Sequence, residues 1–150
     1  MRTYLVVMDE SEEAQGALRF AARRAARTGG AVEIVALIEK QDFVEWSGVQ
    51  AAMEEEARLR AEAAVTAAAG TIMEEAGLRP SVTVRQGDAI KSLNAHLKDR
   101  DNIAALVLGA AAEGAPGPLV AYFTSNSGAL PCPLIIVPGH LDDETLDRLS

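Results

Sequence analysis

Apolar residues along this chain recur with two periods that alternate from one end to the other. Five short runs are almost continuous: YLVVM (4–8), VEIVALI (32–38), SVTV (81–84), IAALVL (103–108) and LIIV (134–137). They read as strands. Between them, apolar positions return every three or four residues, as on one face of a helix. Ala14, Ala17, Leu18, Ala21, Ala22 and Ala25 form the first stripe, with Ser11 placed to cap its start and Gly29 to stop it. Met53, Ala57, Ala61, Ala64, Ala68 and Ile72 form the second. Its charges pair Glu54 with Arg58 and Glu56 with Arg60 in the favourable i,i+4 order, so MEEEARLRAE is expected to be a solvated face. A third helix is expected from about Asp88 to Asp99, with Ile90, Leu93 and Leu97 inward. A fourth opens near Pro118, where proline sacrifices no helical hydrogen bond.

Strand and helix alternating in this way predict a doubly wound, Rossmann-like α/β fold: a five-stranded parallel sheet with helices on both faces. Its 150 residues, 49% of them apolar, suffice for one core and are short for two, so residues 1–150 are expected to be one domain. YLVVM and IAALVL are apolar throughout, as central strands are, whereas SVTVR alternates as an edge does. The predicted order is 3-2-1-4-5. That leaves LIIV as an apolar edge, which invites pairing with another chain. Ligands of such sheets bind beyond the strands' carboxyl ends where the winding reverses, here between strands one and four. Asp9 ends the first strand and Gly109 the fourth.

Charge narrows the partners. A net charge of −8 argues against nucleic acid or an anionic membrane, and the cluster Arg19, Arg23, Arg24 and Arg27 shares its segment with Glu12 and Glu13. The apolar run 4–8 meets Asp9 and Glu10 too soon for a signal peptide or a span, so a cytoplasmic location is expected. The single cysteine, Cys132, excludes an internal disulfide and a cysteine-rich zinc site, and a buried thiol is expected. His96 and His140 lack companion ligands, so no metal site is expected. No histidine can be argued to neighbour Ser11, which reads as a cap and not as a nucleophile. Trp46 either lids the cleft or pins its loop to the second helix.

The stretch GAAAEGAPGP (109–118) stands where a phosphate loop would. Taken with YLVVMDESEEAQGALRFAARRA, VRQGDAIKSL, LVLG and LPCPLIIVPG, in that order and spacing, the chain resembles the universal stress protein family over essentially its whole length. The resemblance implies a cytoplasmic homodimer built through the last strand, Leu134, Ile135, Ile136 and Val137, with ATP or another adenine nucleotide in the cleft. It also implies that Asp9 approaches the ribose, that the Leu37 backbone meets adenine, and that Gly109 opens the phosphate motif G-x2-G-x9-G-[ST]; from the residues alone Asp9 reads equally as a helix-capping carboxylate, with Glu12 three residues on as in a capping box. The motif then fails. Ala112 holds its second glycine position, and the closing pair falls on Tyr122 and Phe123, or on Val120 and Ala121 when aligned from PCP. Gly114 and Gly117 remain as candidates at other spacings, while Pro116 and Pro118 remove donors and Glu113 repels phosphate. Two readings follow: a stress-response module that senses an adenine nucleotide weakly, or an interaction protein with a vestigial cleft. Slow ATP hydrolysis is the one enzymatic candidate, and no general base, metal-ligand pair or Arg clamp stands beside the loop.

Overall fold

The computed structural model describes residues 2–38 and 47–150. Trp46 lies outside them. Strands β1 (Thr3–Met8), β2 (Ala31–Ile38), β3 (Ser81–Gln86), β4 (Ile103–Ala110) and β5 (Leu134–Pro138) form one parallel sheet in the order β3-β2-β1-β4-β5. Helices α1 (Glu12–Thr28), α2 (Ser47–Ala76), α3 (Ala89–Lys98), α4 (Pro118–Ser125) and α5 (Asp143–Leu149) accompany it. The order is the one the strand chemistry predicts.

Alternation along the strands distributes the core to two faces. On β1, Tyr4, Val6 and Met8 face one way and pack with Ala17, Ala21 and Ala25 of α1, with α2 beneath them through Val65 and Ile72. Leu5 and Val7 face the other way, against Leu93 and Leu97 of α3 and Phe123 of α4. The α1 stripe is almost all alanine because this helix lies tightly against the central strands. Gly29 closes it in the left-handed region, φ 69°, where a side chain would be strained.

Four sequence expectations change in the folded chain. The buried face of α2 is Val65, Ala68 and Ile72, while Met53, Ala57 and Ala61 are only half-buried and Ala64 is exposed. The helix outruns the sheet, so its first half has no core to bury into. Of the predicted α2 pairs, Glu56 meets Arg60 at 3.7 Å, whereas Arg58 Nη2 reaches Gln86 Oε1 at 3.4 Å. Cys132 is half-buried and not fully covered, and its partial burial raises the thiol pKa.

The fourth change is α5, a short charged helix whose single buried apolar residue, Leu146, is too little periodicity to read. Asp142 caps it by accepting from the Thr145 N–H at 2.8 Å. The helix then docks on the arginines of α1. Arg19 makes a two-pronged contact with Asp147, Nε to Oδ1 at 2.8 Å and Nη2 to Oδ2 at 2.9 Å, and reaches Glu75 of α2 at 2.8 Å. Arg23 Nε lies 2.9 Å from Asp147 Oδ1, and Arg27 Nη2 donates to the Asp147 carbonyl at 2.7 Å. Three of the four arginines in the basic cluster, Arg19, Arg23 and Arg27, are thus spent within the chain, while Arg24 is exposed.

Candidate functional site

At the carboxyl ends of β1, β2 and β4 the sheet opens into a cleft of about 430 Å³, bounded by the starts of α1 and α4 and by the first half of α2. Asp9, Leu37, Gly109 and Gly117 all line it. Gly114 does not: it sits on the exposed loop after β4 with φ 74°, a turn position that needs glycine for its backbone alone.

Asp9 is exposed, and its Oδ1 accepts from the Ser11 N–H at 2.9 Å and from the Ser11 hydroxyl. This turn replaces the expected capping arrangement. Ser11 stands at the N-cap of α1, but its hydroxyl is given to Asp9 and caps nothing. One carboxylate oxygen is therefore fixed, and Oδ2 has no protein partner among the described residues.

Gly109 has a packing cause. A Cβ there would overlap the carbonyl of Glu13, so glycine is what lets the first turn of α1 close on the end of β4. Gly117 differs. Nothing within 4 Å would meet its Cβ, but φ 114° at the N-cap of α4 demands glycine. Between them the loop closes on itself through Ala111 N–H to the Pro116 carbonyl at 3.1 Å. Pro118 is the first residue of α4 and has no N–H, which leaves Leu119 and Val120 as the amides of the first turn without an intrahelical acceptor; both residues line the cleft. The Thr124 hydroxyl turns back to the Val120 carbonyl at 2.7 Å, inside its own helix.

Three further residues of the lining escaped the sequence reading: Glu10, Glu13 and Arg60. The acidic run DESEE (9–13) directly after the first strand is the signal that could have found the two glutamates. Arg60 pairs with Glu10 at 3.4 Å as well as with Glu56. Glu113 is exposed and does not line the cleft, so the negative charge there comes from α1 and its entry.

A second polar group lies under α3. His96 is fully buried and contacts Glu33 Oε1 through Nε2, while its Nδ1 accepts from Arg85 Nε at 3.0 Å. The acceptor role of Nδ1 makes Nε2 the protonated nitrogen that donates to Glu33. Arg100 Nη2 lies 3.2 Å from the other oxygen of Glu33. Histidine here ties β2, β3 and α3 together. Among the described residues no group of three or more His, Cys, Asp or Glu side chains is arranged to hold a metal ion, and no helix is long and apolar enough to cross a membrane.

A parallel sheet in this order, open at its carboxyl ends, defines the doubly wound α/β class. The chain belongs to the universal stress protein family, whose profile matches residues 1–138. Solved structures share the fold. Universal stress protein UspA from Lactobacillus plantarum superposes with a TM-score of 0.78 at 18% identity, over 91% of this chain and 97% of that one. A family protein from Burkholderia pseudomallei gives 0.70 at 17% identity, over 91% and 95%. A universal stress protein in complex with cAMP gives 0.51 at 18% identity, over 91% and 96%. No curated protein matches the chain. The family match ends at residue 138, so α5 and its arginine contacts lie beyond it.

Proposed function

We propose that this protein is a cytoplasmic, dimeric stress-response module whose cleft between β1 and β4 takes an adenine nucleotide or a related adenosine-type metabolite. The observation that carries this reading is the open cleft itself. Its volume of about 430 Å³ lies within the usual range of small-molecule pockets, and its floor is apolar with one pre-set carboxylate, Asp9. Asp9 accepts a ribose hydroxyl through Oδ2, and the base lies against the end of β2 at Leu37. The cAMP complex of a structural neighbour supports an adenine ligand for this fold.

The dimer reading rests on β5. Among the described residues it pairs with β4 alone, and Leu134, Ile135 and Ile136 remain partly exposed on an edge with unpaired backbone groups. The same strand of a second subunit covers it with two-fold symmetry. Light scattering at micromolar concentration is expected to give twice the monomer mass, and Ile136→Lys is expected to give monomers. A wild-type monomer rejects the dimer; an unchanged dimer in the variant moves the interface away from β5. For the cleft, thermal melts with millimolar adenosine, AMP and ATP are expected to show stabilisation that Asp9→Ala removes. No shift with any of the three rejects the ligand reading.

A further inference from the structure

We infer that the cleft selects an uncharged nucleoside and discriminates against its phosphorylated forms, an inference that rests on the adenine-ligand reading of the same site. Charge is the first reason. Asp9, Glu10 and Glu13 line the cleft against Arg60 alone, a formal balance of −2, and Arg60 is already held by Glu10 at 3.4 Å and Glu56 at 3.7 Å. A phosphate entering here meets repulsion from carboxylates, and among the described residues the cleft lining offers no uncommitted cation.

Donors are the second reason. A phosphate needs several N–H or O–H groups aimed at it. The Ala111 amide is spent on the Pro116 carbonyl, Pro116 and Pro118 have no amide hydrogen, and the Thr124 hydroxyl is spent on the Val120 carbonyl. Two neutral amides remain at the start of α4, those of Leu119 and Val120, and the uncapped first amides of α1 stand in the turn that carries Glu12 and Glu13. That is enough for a hydroxyl or a ring nitrogen, and weak support for a dianion beside three carboxylates.

Space is the third. Beside Gly109, where a Cβ-free position would let a phosphate approach the backbone, the Glu13 carbonyl already fills the gap. What the cleft offers instead suits a neutral sugar. The Asp9 carboxylate accepts hydrogen bonds, with Oδ1 held by Ser11 and Oδ2 left to receive a ribose hydroxyl. Apolar side chains of β1, β2 and β4 then face the base.

The test is calorimetry at low ionic strength with adenosine, AMP, ADP and ATP, on wild type and on the Glu10→Gln/Glu13→Gln double variant, with thermal melting to show that the variant is folded. Adenosine is expected to bind at least about tenfold tighter than AMP, with ADP and ATP weaker still. The double variant is expected to narrow the adenosine-to-AMP ratio about threefold or more, as is raising the salt, because both reduce the field of the carboxylates. ATP or AMP binding tighter than adenosine overturns the inference while leaving the adenine site standing. So does a ratio that neither the variant nor salt moves. Flat titrations with all four ligands overturn the adenine reading itself, and the inference with it.

Discussion

Along one face of β2, Glu33 and Leu37 stand four residues apart at opposite ends of the strand, and the polar groups near each use their hydrogen-bonding capacity differently. Near Glu33 the groups are buried and closed: both of its oxygens have partners in His96 and Arg100, and His96 has partners on both ring nitrogens. Near Leu37 they are open. Asp9 commits one oxygen to Ser11 and leaves the other to the cleft, and the first amides of α4 have no cap. A buried polar group without a partner is costly, so the interior end had to be saturated by the chain itself. At the cleft, water can satisfy what the chain does not, and an unspent acceptor costs little until a ligand takes it. The difference separates a polar cluster that holds the fold from one that is free to bind.

Substitution at the closed end is expected to have the largest effect on stability. Glu33→Ala leaves the buried Nε2–H of His96 without its acceptor and is expected to cost about 1–3 kcal/mol in urea unfolding. Glu33→Gln keeps an acceptor and is expected to cost less. Equal losses in the two variants would place the effect on the charge contact with Arg100 and not on the hydrogen bond to His96.

The α5 clasp is intermediate in exposure and is expected to be intermediate in effect. Arg19 and Asp147 side chains are 21% and 30% exposed, and Asp147→Asn is expected to cost about 1 kcal/mol or less. Its pH dependence has a definite sign. The hydrogen bond from Arg19 holds the Asp147 carboxyl below the usual aspartate range. A depressed folded pKa means the contribution is complete above the unfolded value of about 3.9 and is lost as the pH falls through the folded one. Melting temperatures of wild type and Asp147→Asn are therefore expected to differ at pH 6 and to converge as the pH falls through the folded value. A constant gap down to that pH would show that Asp147 acts here without its charge.

The smallest effect on the unliganded protein belongs to the open end. Asp9→Ala is expected to change the unfolding free energy by no more than about 0.5 kcal/mol, as for an exposed surface site. A loss of 2 kcal/mol or more would make Asp9 a structural residue like Glu33 and erase the contrast. This variant, measured without ligand, sharpens the comparison most directly.

The place of the cleft was legible before the fold was known. Asp9 and Gly109 end strands one and four, and strand order alone brings those ends together. Gly114 lies outside the cleft lining, and its glycine is ambiguous for a physical reason: a positive-φ turn and a close approach to a ligand both call for glycine, and composition does not tell them apart. Gly109 shows the same ambiguity, since the atom that requires it belongs to Glu13, which lies 96 residues earlier in the chain. The His96 cluster was invisible because its members come from β2, β3, α3 and the turn after it, with no spacing that links them.

The sequence by itself determined the five strands, the four longer helices, the sheet order and the end of the sheet that opens, because these follow from local periodicity and from rules of chain crossing. Tertiary structure alone decided which charges are spent. DESEE reads as a helix start, the arginines of α1 as a cluster offset by Glu12 and Glu13, and His96 as a lone histidine. Folding makes the first the acidic wall of a cleft, gives the second to α5 and closes the third on Glu33. Electrostatic and hydrogen-bonding partners act over a few ångströms in space, and the chain brings residues more than 100 positions apart, such as Arg19 and Asp147, to that distance.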